Sequence, residues 1–234
     1  MNESITAQIL HVGVLTKFMD TAEFAGKIDH TTLGQTTTWR DVELVLDAAL
    51  VHGMQACIPP CFVESAIEYT PNVPVVSVCG FPHGNETIDS KVFQAETLWK
   101  VGATEVDVVI NVGKLLENDT TYLEKELHQV EAAVPIPVKI IVEAPLLSER
   151  QLRTICELAK DANVAYLKTA TGFAEGGATV SDVEIMADYL PVKASGGISS
   201  ADDAIAMLEA GADRIGSSAG NSLVEAFDSN EVQD

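Results

Sequence analysis

Positive charge is scarce in this 234-residue chain, which has 14 Lys and Arg against 35 Asp and Glu and a formal net charge of −21. A protein that binds nucleic acid replaces condensed counterions with clustered Lys and Arg, and this sequence has no basic run. An anionic membrane surface would repel the chain, and no segment approaches the ~20 consecutive apolar residues of a membrane helix. We therefore expect neither nucleic acid nor a membrane as a partner.

The N-terminal sequence lacks the positive start and small-residue cleavage site of a signal peptide, which favours a cytoplasmic location.

Cysteine and aromatic residues are also few. Aromatic residues make up 6% of the chain, yet 47% is hydrophobic, enough to fill a core and to argue against disorder. No C-x-x-C pair is present, so we expect reduced and mostly buried thiols at Cys57, Cys61, Cys79 and Cys156.

The acidity itself is unusual for a chain of this size. Dense surface carboxylates stay hydrated in concentrated salt, which also screens their mutual repulsion. We interpret the net charge of −21 as an adaptation to a high-salt cytoplasm. This hypothesis predicts loss of structure on dialysis into low salt.

Short β-branched segments recur along the chain, separated by stretches long enough for one helix and two loops. They predict eight strands, near Ile28, Ala56, Val76, Val108, Ile140, Leu167, Lys193 and Ile215. Repeated strand–helix alternation predicts parallel strands with helical crossovers. An open doubly wound sheet and a closed barrel are both compatible with this pattern, and the count of eight favours a single α/β domain of the (β/α)8 TIM barrel type.

Helical patterns fill the intervals between these strands. Apolar residues at helical spacing predict helices over 39–52, over 122–133 and after Ser148. Ser148 with Gln151 predicts a capping box, and Ser199 with Asp202 predicts a similar pair. We expect an extra N-terminal helical extension over 1–26, the barrel over 27–227 and a polar, frayed tail over 228–234.

Three of the ten lysines fall inside predicted strands five, six and seven, at Lys139, Lys168 and Lys193. Strand alternation places Asp107 opposite the apolar face of strand four, pointing into the barrel. A lone buried lysine is commonly structural, snorkelling to solvent or paired with a carboxylate such as Asp107 or Glu143. Three lysines beside a buried aspartate favour chemistry instead. Burial and a second ammonium both favour the free amine that attacks a carbonyl, so the cluster predicts a Schiff base.

Small, glycine-rich loops follow predicted strands six, seven and eight. Glycine lets backbone N–H groups approach an anion closely, and two of these loops precede helix N-termini, which favour bound phosphate. Phosphate sites of TIM barrels commonly follow strands seven and eight. Ordinary tight turns are the alternative, and the nearby lysines favour a phosphate site at Thr171-Gly172, Ser195-Gly196-Gly197 and Gly216-Ser217-Ser218.

Between residues 27 and 227 the chain resembles the deoxyribose-phosphate aldolases. Seven segments match in order: IDHTTL at 28–33, VCGFPHG at 78–84, EVDVVINVG at 105–113, YLKTATGF at 166–173, GGAT at 176–179, VKASGGI at 192–198 and RIGSSAG at 214–220. The resemblance implies a lyase, specifically a class I aldolase, that reversibly cleaves 2-deoxy-D-ribose 5-phosphate to D-glyceraldehyde 3-phosphate and acetaldehyde. Its Schiff base is the electron sink, so no metal or other cofactor is implied.

The resemblance also implies roles for individual residues. Lys168 would form the Schiff base. Lys193 would favour the free-amine form of Lys168 and exchange protons, and Asp107 would be the proton donor and acceptor. The phosphate contacts would be Thr171, Gly172, Gly196, Gly197, Gly216 and Ser217, with Ser218 beside them. The remaining substrate-binding candidates are Asp29, Thr31, Cys57 and Lys139.

Two positions depart from the family's pattern. Ala170 replaces a usual serine, and no tyrosine follows Tyr189, whereas some members end in a tyrosine that assists proton transfer.

The alternative functions are those of another class I lysine aldolase and of a non-catalytic sugar-phosphate-binding barrel. His30 and His83 would suit a metal-dependent aldolase, but they lack a third ligand. Small phosphorylated sugars or aldehydes are the expected partners, and a homodimer is the expected assembly.

Overall fold

The computed structural model describes residues 19–231 of the chain, including side chains as far as residue 228. Its parallel strands close into a barrel in which each strand pairs with the next and β8 pairs with β1. This arrangement confirms the predicted (β/α)8 barrel and all eight strand positions. The strands are β1 Ile28–Thr31, β2 Gln55–Cys57, β3 Val75–Cys79, β4 Glu105–Val109, β5 Val138–Ile141, β6 Tyr166–Lys168, β7 Val192–Ser195 and β8 Arg214–Ser217.

Helices surround this barrel and connect its strands. They are α1 Thr21–Gly26, α2 Trp39–His52, α3 Val63–Tyr69, α4 Ile88–Lys100, α5 Val112–Leu116, α6 Thr120–Ala132, α7 Glu149–Asp161, α8 Val180–Ala187, α9 Ala201–Glu209 and α10 Gly220–Glu231. Short 3-10 turns lie at Pro60–Phe62 and Ala144–Leu146. Within residues 19–231, none of the helices is both long and apolar enough to cross a membrane.

The helix boundaries follow the capping residues, with one correction. Ser148 and Gln151 form the predicted capping box at the start of α7. The predicted pair at the start of α9 is wrong by one residue, because Ser200 is the extended cap and its side chain accepts from the Asp203 N–H. Successive serines followed by successive aspartates fit the same spacing in sequence, and the backbone decides between them.

The expected ends of the barrel domain lie close to the limits of the described residues. Helix α1 lies within the expected N-terminal extension, whose residues 1–18 fall outside the described part of the chain. Helix α10 continues to Glu231, so regular structure extends into the segment where a frayed tail is expected to begin. All four cysteines are unpaired, and Cys61 is exposed whereas the other three are buried.

The apolar core lies between the barrel and its helices. On β4, Val106 and Val108 pack in this layer, as the two-residue strand period predicts. The alternate residues point into the barrel, where the fully buried side chains include Asp29, Asp107, Lys139 and Lys193. Buried charges require partners, so the barrel interior contains a network of ion pairs, beside a small apolar cluster of Cys57, Val76 and Val78.

Candidate active site

One carboxylate, Asp107, lies at the centre of the three strand lysines. Its Oδ2 accepts hydrogen bonds from Lys168 Nζ at 2.9 Å and from Lys193 Nζ at 2.7 Å. Lys139 Nζ donates to Oδ1 at 3.0 Å. Strand register explains the convergence, because Asp107 is level with Lys139 on β5, and Lys168 is level with Lys193 on β7. The structure therefore brings the predicted cluster together.

The charges in this cluster fix its protonation. Burial favours the neutral form of Asp107, but the ammonium groups of Lys139, Lys168 and Lys193 outweigh it and hold the pKa of Asp107 well below its usual range. Burial likewise opposes the charge on Lys193, but the carboxylates of Asp107 and Asp29 outweigh it and raise the pKa of Lys193. At neutral pH, Asp107 is a carboxylate and Lys193 is an ammonium that shares the same oxygen with Lys168.

A second carboxylate, Asp29, balances the remaining positive charge in the barrel. It forms an ion pair with Arg214, and its Oδ2 lies 2.5 Å from Lys193 Nζ without the alignment of a hydrogen bond. Burial would raise the pKa of Asp29, but Lys193, Lys139 and Arg214 together lower it to about 2. Lys139 pairs with Glu105 as well as with Asp107. Asp29 and Lys139 are thus fully engaged inside the barrel.

A cavity of about 540 Å³ opens at the carboxyl ends of the strands. Lys168 lines it and is the one charged residue among the described residues of its wall. Of the other predicted residues, the wall includes Thr31, Thr171, Gly172, Gly196, Gly197, Gly216, Ser217 and Ser218. The structure does not bring Asp29, Cys57 or Lys139 to this wall, and Asp107 and Lys193 lie below it, reached through Lys168. A larger, open groove of about 920 Å³ lies outside the barrel along α7, α8 and α9, far from the lysines in the fold.

The backbone of the cavity wall suits an anion. Gly196 and Gly197 are successive residues with φ of 95° and 78°, a conformation that exposes N–H groups and that residues with a Cβ rarely adopt. A Cβ at Gly177 would lie 2.5 Å from the Gly196 carbonyl oxygen, so the loops after β6 and β7 pack backbone to backbone. The Ser217 hydroxyl donates to Ile198 O at 2.7 Å and accepts from Ala219 N–H. The Ser217 hydroxyl hydrogen is therefore already used, and an anion here would be bound by backbone N–H groups and the other hydroxyls of the wall.

Glu143 is a residue of the site whose role sequence reasoning missed. Strand β5 ends at Ile141, and Glu143 then adopts a left-handed conformation with φ of 54° and ψ of 54°. Its carboxylate accepts from Thr171 and contacts no lysine of the cluster. The acidic side chain just after a predicted strand was visible in the sequence, but the partner depends on the left-handed turn.

A metal-dependent alternative finds no matching geometry in the part of the chain that the structure describes. His30 is buried near the end of β1, whereas His83 is exposed in the turn after β3. Residues 19–231 contain no group of three or more His, Cys, Asp and Glu side chains that could hold a metal ion.

No protein-family model matches the chain, but individual relatives do. A deoxyribose-phosphate aldolase of Natronomonas pharaonis is 61% identical over 210 residues, which cover 90% of this chain and 97% of that protein. One of Haloarcula marismortui is 54% identical over 201 residues, covering 86% of this chain and 87% of that one. The solved tetrameric structure of deoxyribose phosphate aldolase from Aeropyrum pernix is 30% identical with a TM-score of 0.84, and covers 96% of this chain and 98% of that one. A closed barrel with its lysines around one aspartate, and such similarity over nearly the whole length, make this chain a member of the deoxyribose-phosphate aldolase family.

Proposed function

We propose that the chain is a lyase that reversibly cleaves 2-deoxy-D-ribose 5-phosphate to D-glyceraldehyde 3-phosphate and acetaldehyde. One observation carries this proposal: Lys168 lines the cavity and shares the Oδ2 atom of Asp107 with Lys193. A nucleophilic lysine must be a free amine when it attacks. Lys193, whose positive charge is retained, contacts the same carboxylate oxygen. We propose residues 27–227 as the catalytic unit.

The reaction begins when Lys168 Nζ attacks the C1 aldehyde and water leaves, giving a protonated imine. A base removes the proton of the C3 hydroxyl, the C2–C3 bond breaks, and its electron pair moves into the imine to form an enamine. Glyceraldehyde 3-phosphate departs, C2 of the enamine takes up a proton, and hydrolysis releases acetaldehyde and Lys168. Asp107 accepts a hydrogen bond from the reacting nitrogen, and Lys193 donates to the same Asp107 oxygen, so the two residues are placed to exchange these protons.

Phosphate would bind at the opposite end of the substrate, in the loops after β6, β7 and β8. Gly172, Gly196, Gly197, Gly216, Ser217 and Ser218 line the cavity there. Helices α9 and α10 start just after two of these loops, and the partial positive charge of a helix N-terminus favours an anion. The described wall holds no arginine, so the backbone would supply most of the phosphate contacts.

Borohydride trapping with acetaldehyde tests the proposal. We expect a covalent mass increase on the peptide that contains Lys168, and Lys168→Ala should lose both this adduct and cleavage activity by about 10³-fold or more. Lys160→Ala, at an exposed lysine in the last turn of α7, is the matched control and should behave as wild type. Sugar-phosphate binding without an adduct would favour a non-catalytic barrel. An adduct without cleavage of deoxyribose 5-phosphate would favour another lysine aldolase.

We also propose a homodimer in the cytoplasm as the working form. Support for an oligomer comes from the related Aeropyrum pernix protein, whose structure is described as tetrameric. Sedimentation equilibrium in concentrated KCl would distinguish a dimer from a tetramer or a monomer.

A further inference from the structure

Glu143 adopts a backbone conformation that glutamate rarely takes. It lies in the left-handed region directly after β5 and is only 4% exposed. A residue with a Cβ loses conformational free energy in this region, and such strain persists where surrounding contacts impose it. The next residue helps to impose it, because Ala144 N–H donates to Thr169 O at 2.8 Å. Glu143 is therefore held against the loop that follows Lys168.

Both hydrogen-bond donors of Thr171 point to this carboxylate. The Thr171 N–H donates to Glu143 Oε1 at 3.0 Å, and the Thr171 hydroxyl donates to Oε2 at 2.6 Å. The hydroxyl oxygen in turn accepts from Phe173 N–H at 3.1 Å. A hydroxyl has only one hydrogen, so Thr171 has none left for a phosphate oxygen in this arrangement.

The carboxylate lies behind the loop rather than in the main cavity. Thr171 and Phe173 belong to the wall of the 540 Å³ cavity, whereas Glu143 lines a separate space of about 130 Å³ beside His83. Gly172, between the two wall residues, has a φ of 82° and faces the glycine loop after β7. The Phe173 ring packs edge-on against Phe81, with 5.4 Å between centroids. Glu143 thus fixes both sides of Gly172 without contacting the cavity.

We infer that Glu143 is a positioning residue for phosphate recognition. Its carboxylate fixes the Thr171–Phe173 turn so that the Gly172 N–H is presented to the phosphate, while Thr171 shapes the loop and is not itself a phosphate donor. This inference rests on the proposed aldolase function and on the phosphate end of its site. A direct electrostatic role would have the opposite sign, because a nearby carboxylate repels phosphate and its neutralisation would then tighten binding.

Glu143→Gln tests this role with two substrates. Glutamine has one acceptor oxygen, and its NH₂ would face one of the two Thr171 donors, so the loop should be released. We expect KM for deoxyribose 5-phosphate to rise about tenfold, with kcat/KM for unphosphorylated deoxyribose within about twofold of wild type. Trapping of acetaldehyde on Lys168 should be unchanged, because acetaldehyde has no phosphate.

A matched control lies further along the same connection. Thr179 Oγ1 donates to Asp182 Oδ2 at 2.6 Å and accepts from the Asp182 N–H, the same kind of pair at an exposed helix cap. Asp182→Asn should leave both substrates within about twofold of wild type. Thr171→Val, which removes the hydroxyl donor, should raise KM in the same direction as Glu143→Gln and serves if that variant does not fold.

The possible results separate cleanly. Equal losses on both substrates would make Glu143 merely structural, and a lower KM for deoxyribose 5-phosphate would make it a repulsive charge; either result overturns the inference. If wild-type protein neither cleaves deoxyribose 5-phosphate nor traps acetaldehyde, the proposed function itself fails. If wild type does both and Glu143→Gln matches it in folded protein, only the positioning role is rejected.

Discussion

Inside the barrel, each charged residue depends on its neighbours for its protonation. Asp29 and Asp107 are fully buried, a position in which an isolated carboxylate would be neutral. Instead, the surrounding ammonium and guanidinium groups lower the pKa of each. Lys193 contacts both carboxylates, and these contacts retain its positive charge inside the barrel.

Asp29 links this charge balance to stability. Its folded-state pKa of about 2 lies below the ordinary value of 3.8, so its ionised form stabilises the fold above about pH 4. That contribution, on the order of 2 kcal/mol, is lost as the pH falls from about 4 towards 2. We expect Asp29→Asn to lower the free energy of unfolding at pH 6, and the difference from wild type to shrink at pH 3. Urea unfolding at both pH values measures it, and a difference that is independent of pH would contradict it.

Sequence reasoning recovered the cluster because it depends on one rule. Alternation along a strand placed Asp107, Lys168 and Lys193 inside the barrel, where register sets Asp107 level with Lys139 and Lys168 level with Lys193. The same rule could not show that Arg214 forms an ion pair with Asp29, because that pair depends on how far the Arg214 side chain extends from β8 towards β1. Asp29 and Lys139 were therefore expected at the substrate, yet the structure places them in the internal charge network.

At the scale of elements, a buried ion pair joins α4, α6 and the ends of β3 and β4. Lys91 Nζ donates to Gly84 O and Val109 O, each at 2.7 Å, and to Glu126 Oε1 at 2.6 Å. Glu126 Oε2 accepts from Asn111 N–H at 3.0 Å. The turn after β3 packs closely on the end of β4, since a Cβ at Gly84 would lie 1.9 Å from the carbonyl oxygen of Ile110, the residue after β4. The pair therefore fixes two loops at the carboxyl end of the barrel.

The sequence pattern does not predict this ion pair, because Lys91 and Glu126 are each a single polar residue on an amphipathic helix. Lys91 occupies a core-facing position of α4, beside buried Ile88 and Ala95. Its partner lies on a different helix, so only the packing of α4 against α6 brings them together. The eight strands and the start of α7 follow from local pattern, whereas contacts between distant helices do not.

Breaking the pair should destabilise the fold strongly. Burial already raises the pKa of Glu126, and Lys91 offsets part of that effect. We expect Lys91→Met to reduce the free energy of unfolding by about 3–5 kcal/mol, because it leaves a buried carboxylate unpaired. Lys125→Met, at an exposed lysine on α6, should change it by less than about 0.5 kcal/mol. The double variant Lys91→Met/Glu126→Leu should recover part of the loss in urea unfolding, and a loss equal to the sum of the two single variants would contradict the pairing.

At the scale of the whole molecule, the net charge of −21 is not explained by the charges buried in the fold. Several of the 14 basic residues are withdrawn from the surface, since Lys91, Lys139, Lys168 and Lys193 are buried. Four acids are buried as well, namely Asp29, Asp107, Glu126 and Glu143, so these buried charges cancel and the net negative charge lies on the other residues. Relatives from halophilic archaea have the same family assignment, which agrees with the interpretation of this acidity as an adaptation to salt.

Salt should therefore control the stability of the fold. The screening length falls from about 10 Å at 0.1 M to about 3 Å at 1 M salt, so repulsion among exposed carboxylates weakens over that range. We expect the free energy of unfolding to rise steeply between these KCl concentrations and structure to be lost on dialysis into low salt. The internal ion pairs are screened far less than surface charges, so we expect them to contribute little to this salt dependence.

A variant with fewer surface carboxylates distinguishes screening from a general effect of solute on hydration. Glu124→Lys and Glu157→Lys each replace an exposed acid on α6 or α7, and together they change the net charge by four units, from −21 to −17. Because repulsion is then weaker, the double variant should be the more stable protein at 0.1 M KCl and should gain less from added salt. Circular dichroism during urea unfolding across the KCl series, with sucrose in place of salt as the neutral solute, measures both effects. If wild type is equally stable in low and high KCl, or if the double variant gains as much from salt as wild type does, the acidity has another origin.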